Sequence, residues 1–100
     1  MQEMKDDEII RRVRGIVDRE PLPDFILGYD VVPGDIDGDP AVWIKFTVAP
    51  EPRHINAEIH RRIAAMNALE ARVKPEVFRT FDDVMPYFRY HAVPEGAGAG

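Results

Sequence analysis

Two side chains that carry covalent chemistry are missing from this sequence, which has no cysteine and no serine. Without cysteine there is no disulfide framework, no thiol nucleophile and no cysteine-based zinc site. Without serine there is no serine triad, and Thr47 and Thr80 stand in no context that marks a nucleophile. Long apolar runs are absent too: no stretch approaches the roughly 18 apolar residues of a membrane span. The opening residues, Met-Gln-Glu-Met-Lys-Asp-Asp-Glu, lack the apolar centre of a secretion signal. These absences predict a cytoplasmic chain with no membrane partner. Neither Gly-x-Gly-x-x-Gly nor Gly-x4-Gly-Lys-Thr occurs, and Gly34 and Gly38 sit among carboxylates that repel phosphate. Positive charge is in deficit, with 13 Lys and Arg against 18 Asp and Glu for a net charge of −5. That balance argues against broad, charge-driven binding to nucleic acid.

What is present is an ordinary globular mixture, 45% hydrophobic and 31% charged, in 100 residues. That length builds one core and not two. Residues 1–95 are therefore expected to be a single α+β domain, followed by a flexible Gly/Ala tail at 96–100. The most regular stretch is 41–48, Ala-Val-Trp-Ile-Lys-Phe-Thr-Val. Val42, Ile44, Phe46 and Val48 would share one side of a strand, and Ala41, Trp43, Lys45 and Thr47 the other. An apolar face this complete needs covering, and the flanks supply helices. Ile9, Ile10, Val13, Ile16 and Val17 mark one face of a helix over 6–19, with Asp7–Arg11 and Arg14–Asp18 as i,i+4 pairs on its wet side. Gly15 in its middle suggests a close backbone approach. Pro21 and Pro23 stop it. Ile55, Ile59, Ile63, Met66, Leu69 and Val73 mark a second helix over about 53–72, with Asn56 as an alternative start and Pro75 stopping or kinking it.

Residues 25–32 read as the first strand, with Phe25, Leu27, Tyr29 and Val31 on its better apolar side. Pro33 to Pro40 is dense in turn formers and predicts an antiparallel hairpin with a long tip. Residues 76–81 fit a strand or a helical turn, 82–86 a turn, and 87–93 a third strand with Phe88, Tyr90 and Ala92 inward. The expected architecture is a three-stranded antiparallel sheet with two helices on one face, in the order α-β-β-α-(turn)-β. That order resembles the type II KH arrangement: helix, long hairpin, helix, and a final strand opening after a proline. The resemblance is one of element order and implies a KH-like topology. The Gly-x-x-Gly loop of RNA-binding KH domains is missing from this chain, as is an Ala-x-Gly kink between later helices.

Three constellations bear on chemistry. Asp35-Ile36-Asp37-Gly38-Asp39 alternates carboxylates as a hard cation requires, but its glycine is fourth, and the twelfth position from Asp35 is Phe46. It reads as a turn and not as a metal site. His54 and His60 are six apart, about 240° around a helix, and no His-x-x-x-His or His-Glu-x-x-His pattern exists, so neither a catalytic residue nor a cofactor is assigned. The third constellation is the uncovered side of the sheet, where Ile26, Trp43, Lys45, Thr47, Tyr87, Arg89 and His91 would be exposed. Trp, Tyr and Arg concentrate at binding hot spots. Trp43, Lys45, Tyr87, Arg89 and His91 are therefore the candidate binding residues of a non-enzymatic interaction module that pairs with itself, as a homodimer, or with another protein. An RNA- or ribosome-associated domain is the first alternative, because aromatic sheet faces also stack bases, and a small enzyme is the second. A further alternative for Trp43 is packing against its own chain.

Overall fold

Five elements follow one another: α1 (Gln2–Asp18), β1 (Ile26–Ile36), β2 (Asp39–Val48), α2 (Asn56–Thr80) and β3 (Met85–Ala92). The computed structural model of the chain describes residues 2–50 and 56–94, so His54 and the tail at 96–100 lie outside the described residues. The strands form one sheet in the order β1-β2-β3, and the stretch with the cleanest alternation is its central strand. The class is α+β, in the order expected. Among the described residues no helix is long and apolar enough to cross a membrane.

The core follows from the alternation of β2. Val42, Ile44, Phe46 and Val48 are buried beneath Ile9, Val13, Ile16 and Val17 of α1 and Leu69, Val73 and Val77 of α2. Each fully buried side chain of this size contributes about 1.5–3 kcal/mol. Both helices thus lie on one face. The salt links of α1 differ from the i,i+4 pairs read from spacing. Arg12 pairs with Glu8 at 3.0 Å, while Arg14 leaves the helix to reach Asp30 of β1 at 3.3 Å. Asp18 instead accepts the Tyr29 hydroxyl at 2.5 Å. No close approach occupies Gly15, since a Cβ there would meet nothing within 4 Å.

β1 departs from strict alternation at one point. Its register with β2 is irregular between Ile26 and Gly28, a bulge that turns Leu27 outward to 60% exposure and brings Ile26 into the core opposite Val48. Ile26 therefore belongs to the helix side and not to the open face. The hairpin tip is also tighter than the proline-rich loop suggests. The strands run through Pro33 and Pro40 and close over Asp37-Gly38, which have φ of 53° and 89°. Two successive positive φ angles define the two-residue type I′ turn, for which Asp-Gly is a preferred pair. Pro33 is tolerated because β1 is an edge strand.

The largest revision concerns α2 and β3. The helix does not stop at 72; it carries Pro75 inside it and continues to Thr80, which includes the segment 76–80 that the sequence left open. Pro75 is exposed, as is Ala71 one turn earlier, so the carbonyl that loses its helical donor faces water. Val73 and Val77 keep the buried stripe continuous across it. Ile63, by contrast, is 49% exposed. A 25-residue helix spans roughly 37 Å, the length of a strand of this sheet, and returns the chain to the end where β2 began. β3 consequently runs parallel to β2, so the sheet is mixed, with an antiparallel β1–β2 pair and a parallel β2–β3 pair. β3 also starts at Met85, taking in two residues that read as part of a turn.

Candidate functional site

Cross-strand register assigns the side of the sheet away from the helices. Its rows across the three strands are Gly34–Ala41–Met85, Val32–Trp43–Tyr87, Asp30–Lys45–Arg89 and Gly28–Thr47–His91. All five candidate binding residues, Trp43, Lys45, Tyr87, Arg89 and His91, are brought together on this face. Of the helix-side set expected for β3, Phe88 and Tyr90 pack against the core, whereas Ala92, at the end of the strand where the covering thins, is exposed.

Trp43 and Tyr87 are register partners, and their rings stack with centroids 5.5 Å apart and planes 22° apart. The indole extends the other way over β1: a Cβ built on Gly34 would stand 2.8 Å from its Cζ3. Glycine at that position lets the ring lie against the backbone of the neighbouring strand. Trp43 is half-buried as a result. Part of its surface is spent on its own chain, as the packing alternative anticipated, and the rest forms a flat shelf with Tyr87. Lys45 and Arg89 stand side by side beneath that shelf and make no ion pair among the described residues. Asp30 is the other register neighbour of Lys45, but its carboxylate pairs with Arg14 at 3.3 Å. Directly opposed like charges in a sheet repel, so a partner that supplied an anion or an acceptor beside Lys45 and Arg89 would gain from both.

On the helix side several charged groups are engaged with neighbours. Arg61 donates to Glu58 at 2.9 Å, and Arg62 donates to the Ala49 carbonyl at 2.9 Å while its guanidinium lies 5.0 Å from the centre of the Phe25 ring. The hydrogen bond from Arg61, aided by Arg62, holds the Glu58 carboxyl below its usual range. Arg61 and Arg62 are thus on the opposite side of the sheet from Lys45 and Arg89, and the four form no common groove. Two tyrosine hydroxyls are tied down on this side as well. Burial, then the Asp18 carboxylate, pushes Tyr29 up to about 12. Burial, then Glu70 accepting its proton at 2.8 Å, raises Tyr90. His60 and His91 are exposed on α2 and β3. Among the described residues no three His, Asp or Glu side chains are placed to hold a metal ion, the Asp35–Asp37–Asp39 turn included.

One feature escaped the sequence reading. The hairpin outruns β3, whose first residue Met85 is level with Ala41, and the space beyond it is walled by Phe78 of α2 and the corner at Asp82. The resulting cleft of about 560 Å³ combines apolar and acidic residues. Its signal was available only in part, because Phe78 reaches it through a helix that the spacing carried only to about 72.

These features define a small α+β domain with one covered and one open sheet face, the open one carrying an aromatic shelf. Compared with known proteins, the chain matches no family model, no curated protein and no solved structure. The likeness to the type II KH arrangement accordingly rests on element order alone.

Proposed function

We propose that this protein is a non-enzymatic interaction module that binds a protein partner, a second copy of itself being the first case to test, through the open sheet face. The observation that carries this reading is the stacked Trp43–Tyr87 shelf at the centre of a face that neither helix covers. A flat aromatic pair flanked by Lys45 and Arg89 matches the composition of binding hot spots. Sedimentation over a concentration range tests it. Trp43→Ala should weaken association by about 2 kcal/mol or more, Arg11→Ala should change it little, and circular dichroism should report a folded chain for both. Unfolding by Trp43→Ala would defeat the proposal, since Trp43 would then serve the fold.

The adjacency of Lys45 and Arg89 to two stacked rings favours a second reading, contact with single-stranded RNA. It requires binding that weakens steeply with salt and falls on Lys45→Ala or Arg89→Ala. The net charge of −5 and the engagement of Arg61 and Arg62 on the far side speak for the protein partner first.

A further inference from the structure

Among the described residues five large hydrophobic side chains are exposed, and three of them, Ile36, Phe78 and Met85, line the cleft at the hairpin end. They come from β1, α2 and β3, so the fold and not a local run of sequence gathers them. Around them stand Asp37 and Asp39 of the hairpin and Asp82 of the α2–β3 corner. Asp83 lines the cleft as well and is already engaged, while Asp37, Asp39 and Asp82 form no ion pair and no Lys, Arg or His lines the cleft among the described residues. We infer that this cleft is a docking groove for a cationic, amphipathic segment of another protein, one that places an apolar side chain on Phe78 and Met85 and its Lys or Arg side chains on the aspartate rim.

Size and charge both bear on the occupant. A space of about 560 Å³, open on one side, takes a few side chains of a segment and not a folded domain. The carboxylates repel one another and any nucleic acid, and a cation entering between them removes that repulsion. A bare metal ion does not fit, because no three of the carboxylates converge. Several of the chain's own arginines are engaged: Arg12 with Glu8, Arg14 with Asp30, Arg61 with Glu58, Arg72 with Glu20. The free cations Lys45 and Arg89 of a second copy stand in the middle of its folded sheet, which a space of this size does not admit, and that favours a segment of a different protein. The cleft adjoins the open face, since Ala41, Met85 and Tyr87 border both, but the inference does not rest on the open-face reading.

The test is fluorescence anisotropy of a labelled Leu–Lys amphipathic peptide of about 14 residues, titrated with the full chain, beside a Ser–Lys peptide of equal charge. The Leu–Lys peptide should bind, and the Ser–Lys peptide should bind at least about tenfold more weakly. Asp37→Asn, Asp39→Asn and Asp82→Asn together should weaken Leu–Lys binding at least about tenfold, and Phe78→Ala at least about fivefold. Asparagine is accepted at positive φ, so the turn survives the first change, and thermal melts confirm folding. Asp24→Asn, at the other end of β1, should leave binding within about twofold, and so should His91→Ala at the far end of the open face, which separates this groove from that face. Absence of binding, equal binding of the Ser–Lys peptide, or equal loss with Asp24→Asn would overturn the inference.

Discussion

A Cβ on Gly34 would stand 2.8 Å from Cζ3 of Trp43, closer than non-bonded carbons pack. The backbone of Gly34 has no positive φ to protect, so the whole effect of Gly34→Ala falls on the indole, which has to lift off β1 and slide against Tyr87. The expected cost is about 1–2 kcal/mol with an altered near-ultraviolet dichroism from Trp43. Gly28→Ala is the control: a Cβ there meets nothing within 4 Å, and its effect should stay under about 0.5 kcal/mol. Equal unfolding midpoints for the two variants would show that Trp43 does not rest on Gly34. On the covered face the tyrosines give a pH dependence. Burial and Asp18 raise Tyr29 from 10.0 to about 12, and burial and Glu70 raise Tyr90 in the same direction. The folded chain thus holds these protons more tightly than the unfolded one. Their contribution is complete below about pH 10 and lost as pH rises through the folded values. The melting temperature should fall from about pH 10 upward, more steeply in the wild type than in Tyr29→Phe. Identical slopes would contradict the Asp18–Tyr29 bond.

At the scale of elements, periodicity was legible and interruptions were not. The buried stripe of α1, both faces of β2 and the outward row Tyr87, Arg89, His91 were readable, because each follows one repeat, the one departure being Ala41, which lies on the outer side of β2 and is nonetheless buried. Three local events broke the reading. The bulge at Leu27 shifts alternation by one residue, and nothing in a run of apolar side chains marks where the extra residue falls. Asp37-Gly38 was a strong turn signal hidden among Pro33, Gly34 and Pro40, which made the whole stretch look like loop. Pro75 read as a stop or a kink, and the helix passes through it because Val73 and Val77 lie four apart on one face, where their burial outweighs one missing hydrogen bond on the wet side. Ending the helix at 72 also removed the basis for setting the direction of β3, which explains the antiparallel expectation. Pro75→Ala should restore the bond to the Ala71 carbonyl and raise stability by about 1–2 kcal/mol, after allowance for the stiffness that proline gives the unfolded chain. A fall in the urea midpoint would mean instead that a bend at Pro75 is needed to seat Val77.

Taken as a whole molecule, the protein divides its surfaces by composition. Apolar side chains from α1, α2 and the sheet meet on one side, where Arg61, Arg62, Tyr29 and Tyr90 are each bound to a neighbour. The other side keeps Lys45 and Arg89 beside an aromatic shelf, and the hairpin end gathers carboxylates around exposed apolar groups. The chain has a single tryptophan, and it sits in the shelf, so its fluorescence reports on the open face and on nothing else. The decisive measurement is acrylamide quenching of Trp43 as the protein is concentrated from micromolar to millimolar, with mass followed in parallel by light scattering. As mass rises from monomer toward dimer, the quenching constant should drop severalfold and the emission should shift to the blue. A rise in mass with Trp43 equally quenched throughout, or a mass that never leaves the monomer value, would contradict self-association through this face.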